Sequence, residues 1–308
     1  PGYAEKYLGI WGKRIFMFSM IFGIYGALIA YLIGEGSALS TIFGGNPMIY
    51  SLCFFTLSSF FVYKGIKSIS KFEGILVFLV LSLVLIISLL GFFSGKFDFS
   101  NLSSEFNVIS LFIPYGVVLF SFVGAAAIPE MKECLIRDKD SMKLAIIYGS
   151  LIPIFTYLLF AFVVVGINGL GTTEVATIGL GNVLGSGALI LGNLFASLAM
   201  LTSFLTLGLA MKEIYMFDYK INEFWSWCLT VFVPLVIFLS GASSFIKVIG
   251  ITGALAGGID GALIVLMFWK AKLKGGRIPE YDLGKQKILG TILIGVFILG
   301  VIYQLFNL

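Results

Sequence analysis

The sequence predicts an all-α polytopic membrane protein that crosses the bilayer nine times. Three observations predict it. The 308 residues are 59% apolar and only 12% charged, with 31 phenylalanines, and the mean hydropathy is +1.06. A soluble domain is about a quarter charged, so this composition excludes a cytosolic enzyme, a nucleic-acid binder and a disordered tail. Apolar runs near the length that crosses a hydrocarbon core of about 30 Å, about 20 helical residues, recur along the whole chain. The basic residues fall in alternate connectors, as cytoplasmic loops require.

Taken in order, the first run is 15–37, entered from Lys6, Lys13 and Arg14 and closing on Glu35, which reads as a solvated cap at the interface. Tyr25 and Tyr31 within it either pack as aromatics or line a cavity. A Gly- and Ser-rich connector, 34–46, leads to the second run, 47–64. The third, 72–93, is an anchor, because its stretch 75–90 has no polar side chain except Ser82 and Ser88. An Asn101-Leu102-Ser103 sequon precedes the fourth run, 108–131, and the fifth follows at 144–167. The connector 166–187 contains an apolar patch, 175–180, that is either a small capping loop over a cavity or a linker. The sixth run is 187–211, the seventh 224–240, the eighth 245–269 and the ninth 286–306. All nine form one transmembrane domain, 1–308.

Sidedness follows from the 20 Lys and Arg residues. The first inner segment takes Lys6, Lys13 and Arg14, and the next takes Lys64, Lys67 and Lys71. Lys132, Arg137, Lys139 and Lys143 form the third group, and Lys212 with Lys220 the fourth. Lys270, Lys272, Lys274, Arg277, Lys285 and Lys287 form the last, leaving Lys96 and Lys247 for the opposite face. Residue 1 is then cytoplasmic and the C-terminus outside, in a cell inner (plasma) membrane.

Several chemistries are excluded. The absence of histidine removes the commonest metal ligand and the usual proton shuttle near neutral pH. Cys53, Cys134 and Cys228 lie far apart without CxxC spacing and read as small core hydrophobes, not as a disulfide frame or a zinc site. No GxxxxGK[ST] loop is present, so primary ATP-driven pumping by this chain is not expected. No cofactor, metal or nucleic-acid partner is predicted.

The informative runs are those that break the helical rule or bury a charge, since hydrocarbon offers no water to a freed backbone group. The fourth carries Phe120-Ser121-Phe122-Val123-Gly124-Ala125-Ala126-Ala127-Ile128-Pro129-Glu130. Pro129 lacks an amide and obstructs the carbonyl four residues earlier, that of Ala125, so an unpaired acceptor is expected beside Gly124. Gly124 and Pro129 thus mark either a break of the kind that binds substrate in secondary transporters or a kinked packing face. In the eighth run Asp260, within Gly257-Gly258-Ile259-Asp260-Gly261, lies near mid-depth, where an ionisable group costs about 2.5–3.5 kcal/mol or more. It is either a proton carrier facing a wet cavity or a tie between helices. Thr202 and Ser203 in the sixth run either cage a desolvated Na⁺ or bond back to the preceding turn. Glu130, Lys132, Glu133 and Arg137 are either an inner gate or solvated helix-end charges.

The broken segment 120–130 resembles the discontinuous sixth helix of the amino acid/auxin permease family, near its hydroxy- and aromatic-amino-acid permease branch. Gly26-Ala27-Leu28-Ile29-Ala30-Tyr31-Leu32-Ile33-Gly34 similarly resembles that family's third helix. The resemblance covers essentially the whole chain. It implies a LeuT-type fold of two inverted five-helix repeats plus extra helices, with the nine runs standing for helices three to eleven. A chain opening on Pro1-Gly2-Tyr3 would then lack the family's first two helices and the half of the site they supply. The resemblance further implies that Ser121, Phe122, Val123, Gly124 and Ala125 contact an amino acid. It places Thr202 and Ser203 near the hydroxyl pair that serves Na⁺ in sodium-coupled relatives, whereas the aromatic branch is usually proton-coupled; H⁺ and Na⁺ both stay open.

The expected function is secondary active transport of an aromatic or other apolar amino acid by cation symport and alternating access, with Asp260, Thr202 and Ser203 as ion-coupling candidates. Two rivals are a non-transporting fragment or membrane scaffold, and an intramembrane enzyme acting on a lipid-borne substrate. The enzyme needs clustered acids at one interface, and Glu130 with Glu133 are too sparse for that.

Overall fold

The computed structural model describes residues 2–65, 69–103, 112–124, 128, 131–132, 135, 141–274, 282–284 and 286–306. Among these, all regular structure is helical. The helices are α1 (Gly2–Phe43), α2 (Pro47–Lys64), α3 (Ile69–Phe92), α4 (Tyr115–Phe122) and α5 (Met142–Asn168). They continue with α6 (Ala176–Leu184), α7 (Ser186–Glu213), α8 (Glu223–Leu239), α9 (Phe245–Thr252), α10 (Gly258–Lys274) and α11 (Lys287–Phe306). Each of the nine apolar runs therefore contains helix, the arrangement that satisfies backbone polar groups where no water reaches. Among the described residues, five continuous helical stretches are long and apolar enough to cross a membrane: Gly2–Phe43, Met142–Gly171, Ser186–Asp218, Phe245–Lys274 and Lys287–Phe306. Val77–Phe92 and Glu223–Leu239 are shorter apolar stretches.

The chain's own punctuation sets the ends. Asn46 accepts a hydrogen bond from the Met48 amide in front of Pro47, and the helix closes on Gly65 in the left-handed region (φ 63), a start and stop that suit Asn, Pro and Gly. Asn222 caps α8 through the Trp225 amide. Helix α1 is interrupted at Gly9 (φ 79). Two π turns widen the bundle's helices: Ile214–Asp218 extends α7, and Gly253–Gly257 joins α9 to α10.

Two compact units emerge. The first comprises Pro1–Gly23, Phe106–Ile152 and Ile246–Leu308; the second, Ile24–Glu105 and Pro153–Phe245. In the first unit, α4 lies backbone to backbone against the π turn. A Cβ on Gly116 would strike the Gly250 carbonyl, and one on Gly253 would strike the Gly116 carbonyl. A Cβ on Gly257 would come 2.9 Å from Leu119 and 3.1 Å from Val123. Helix α11 completes the packing, with Gly300 under the Tyr115 ring.

The second unit has a conventional apolar core: Ile87, Val163, Val164, Ile167 and Leu180, flanked by Phe97 and Phe160. Phe54 of α2 and Phe204 of α7 meet edge to face at 5.3 Å, a favoured aromatic geometry. The patch 175–180 enters α6, with Thr177, Gly179, Leu180 and Gly181 buried.

One expectation fails here. Cys53 is exposed and Cys228 half-buried, both with free thiols, so Cys53 is no core hydrophobe. An apolar helix face turned toward lipid needs no protein cover, and the run's hydropathy cannot say which face that is. Cys134 lies outside the described residues.

Candidate functional site

In the first unit α4 stops at Phe122. Val123 is extended (φ −71, ψ 94), its amide reaching back to the Phe120 carbonyl at 3.4 Å, a long and weak bond. Gly124 is not helical and is exposed, and a Cβ built on it would meet no atom of the described residues within 4 Å. Of the candidate substrate residues, Ser121 donates its hydroxyl to the Val118 carbonyl at 2.8 Å, and Phe122 and Val123 are exposed. Ala125 and Pro129 lie outside the described residues, as do Glu130, Glu133 and Arg137 of the charged helix end.

Asp260 sits in the first turn of α10, just past the π turn. Ser19 of α1 hydrogen-bonds its carboxyl and also donates to the Ala256 carbonyl, inside the π turn, at 3.0 Å. A hydroxyl carries one hydrogen, so one hydrogen faces two acceptors. Asp260 Oδ1 is buried with no partner among the described residues, and so is the Tyr115 hydroxyl of α4. A carboxyl oxygen, a serine and a main-chain carbonyl thus converge with spare acceptor capacity, the oxygen-rich chemistry that takes a small cation. Gly257, three residues before Asp260, is the residue that brings this segment against Val123.

Thr202 and Ser203 belong to the second unit and do different things. Thr202 donates to the Ala199 carbonyl at 3.0 Å, bonding back within its own helix. Ser203 pairs with the phenol of Tyr31 on α1. Tyr25, another α1 residue, donates to the Leu229 carbonyl at 3.0 Å and lies 2.6 Å from the Tyr215 hydroxyl, which therefore donates to it.

The residue that sequence reasoning missed is Glu35. It is not a solvated cap: only 2% of it is exposed. Ser197 of α7 donates to its Oε1, and its Oε2 is buried without a partner among the described residues. The signal was present in its neighbours. Gly34 and Gly36 let other elements approach α1 on either side of it in sequence: a Cβ on Gly34 would come 2.7 Å from Met200 Sδ, and one on Gly36 2.7 Å from the Pro47 carbonyl. One turn before Ser197 on α7, Asn193 is fully buried, accepts from Thr177 at 2.9 Å, and leaves Nδ2 unpartnered.

The profile of the tryptophan/tyrosine permease family matches residues 2–305. The chain belongs to that family. It is thereby a multi-pass membrane protein of the permease class and not an enzyme. Among its relatives, Tyrosine-specific transport system 1 of Haemophilus influenzae is 27% identical over 96% of this chain and 78% of its own length. Glutamine transporter 2 of Aliivibrio fischeri is 27% identical over 82% of this chain and 68% of its own. Tyrosine-specific transport system 2 of Haemophilus influenzae is 25% identical over 96% of this chain and 78% of its own. No solved structure matches the permease chain at a significant level.

Proposed function

We propose that this chain is a secondary active amino acid transporter, coupling an aromatic or other apolar amino acid to a monovalent cation by alternating access. The observation that carries the reading is the end of α4: helix gives way at Val123, which is extended, and Gly124, which is not helical and has no described atom within 4 Å of a Cβ built on it. Interrupted helices of this kind supply main-chain donors and acceptors to a substrate's charged groups. Membership of a permease family and two relatives named for tyrosine support an aromatic substrate, and the relative named for glutamine sets the first competitor to test.

On this reading the nine apolar runs are nine spans of a LeuT-type fold, entered from the cytoplasm as the basic residues suggest. Ser121 to Ala125 receive the amino acid. Asp260, with Ser19 and the Ala256 carbonyl beside it, serves the coupling cation, as do Ser203 and Thr202. The test is uptake of labelled tyrosine, tryptophan, phenylalanine and glutamine by the full-length gene product in proteoliposomes under imposed H⁺ or Na⁺ gradients. Gradient-driven accumulation of an aromatic amino acid is expected; no gradient-dependent uptake across the panel would overturn the reading.

A further inference from the structure

We propose that Glu35, held by Ser197 in the seam between α1 and α7, binds and releases a proton during the transport cycle. The proposal rests on the symport reading and deepens it by naming an acid in the second unit, distinct from Asp260.

The argument starts from hydrogen-bond capacity. An ionised carboxylate accepts at both oxygens and donates at neither. At Glu35 one oxygen has a single donor, Ser197, and the other has none among the described residues. A carboxylate buried to 2% exposure with half its acceptor capacity idle needs a compensating positive charge.

Among the described residues, no ion pair supplies one. From residue 186 to 211, α7 carries no charged side chain, and Lys212 beyond it is engaged with Glu223 at 2.8 Å. Helix α2 offers Ser51, which donates to the Leu32 carbonyl, Tyr50, which donates to the Gly44 carbonyl, and Cys53, which is exposed. Tyr31, a turn away on α1, is paired with Ser203. Phe245, which closes over Gly34, is apolar. Lys96 donates to the Val183 carbonyl, and Glu174 accepts from Ser244. No ion pair among the described residues involves Glu35.

A proton is the compensating charge that fits. Its one new bond, O–H at Oε2, needs no coordination shell, whereas a metal cation asks for several oxygens and here the Ser197 hydrogen already points at the carboxyl. Nothing is oxidised or reduced: the proton arrives from one aqueous side and leaves to the other. The arrangement also couples the proton to conformation. With the proton on, Glu35 can stay buried against Ser197; with it off, the buried form holds a bare charge, and the equilibrium moves toward a form that wets the carboxyl. Nδ2 of Asn193, a turn along α7, is a second buried polar atom without a partner among the described residues.

The test compares wild type with Glu35→Gln and Ser197→Ala in proteoliposomes. The readouts are accumulation driven by a pH gradient, amino acid counterflow without a gradient, and proton entry followed by an internal pH dye. Glu35→Gln is expected to lose about tenfold or more in pH-driven accumulation and to lose coupled proton entry, with counterflow reduced by no more than about threefold. Ser197→Ala is expected to displace the pH midpoint of uptake by about one unit, and it decides the matter if Glu35→Gln does not fold. Unchanged proton entry in Glu35→Gln, or an unchanged pH midpoint in Ser197→Ala, overturns the proposal. Sodium-driven uptake by wild type with no proton movement overturns it while leaving symport intact; absence of all uptake by wild type defeats the symport reading itself.

Discussion

Replacing Lys212 with methionine keeps the length of the side chain and deletes its charge. Lys212 is 3% exposed, and its ammonium lies 3.1 Å from the Tyr63 carbonyl, 3.5 Å from that of Val62 and 2.8 Å from Glu223 Oε1. The carbonyls belong to the last turn of α2, where helical amides run out and the helix dipole is negative. A charge-assisted hydrogen bond to a carbonyl is worth about 1.5–3 kcal/mol. Glu223, by contrast, is 63% exposed, so water replaces much of what the ion pair gives it. Lys212→Met should therefore cost about 1.5–3 kcal/mol, a fall in melting temperature of about 3–6 °C at roughly 2 °C per kcal/mol, and Glu223→Gln much less. Thermal unfolding in nanodiscs can be followed on Trp227, which donates to the Ser59 carbonyl and packs against Tyr63. An unchanged melting temperature in Lys212→Met, or equal losses in the two variants, would refute the assignment. The acid dependence has a definite sign. Lys212 holds the Glu223 carboxyl below its ordinary value of 4.5, so the pair's contribution is complete above that value and is lost as pH falls through the folded-state value. The gap between wild type and Glu223→Gln should close in acid.

Two further substitutions probe the first unit. Asp260→Asn should impair gradient-driven uptake more than substrate exchange at equal gradients, and equal loss of both, or of neither, would count against a coupling role. Gly116→Val should part α4 from the Gly250 carbonyl at a cost of about 1–3 kcal/mol or more, seen as loss of monodisperse protein on size exclusion; Gly295→Ala, with no atom within 4 Å of the new methyl, should elute as wild type.

How much was legible in the sequence depends on the kind of signal. The second helix is Pro47–Lys64, the same interval as its apolar run, because Asn46 and Gly65 are local start and stop chemistry. The first runs from Gly2 to Phe43, well past 15–37, since hydropathy reports where lipid begins and not where hydrogen bonding ends. Thr202 and Ser203 look alike in sequence, yet only Ser203 faces the α1 phenol that gives it a partner. The π turn 253–257 was invisible: Gly-Ala-Leu-Ala-Gly carries no periodicity, and the wide turn is set by tertiary contact with Gly116 and Phe120. Glu35 was misplaced for the same reason, because a charge at the end of an apolar run is ordinarily solvated and its burial against Ser197 is a tertiary contact.

The central claim, that the main chain at Val123 and Gly124, where α4 ends, faces the transported amino acid, is tested most directly by placing a single reactive thiol there. In a background with Cys53, Cys134 and Cys228 replaced, a Gly124→Cys variant should react with a small hydrophilic thiol reagent, and saturating tyrosine or tryptophan should slow that reaction in a concentration-dependent way. Reaction at the same rate with and without saturating amino acid, in protein that still transports, would contradict the account.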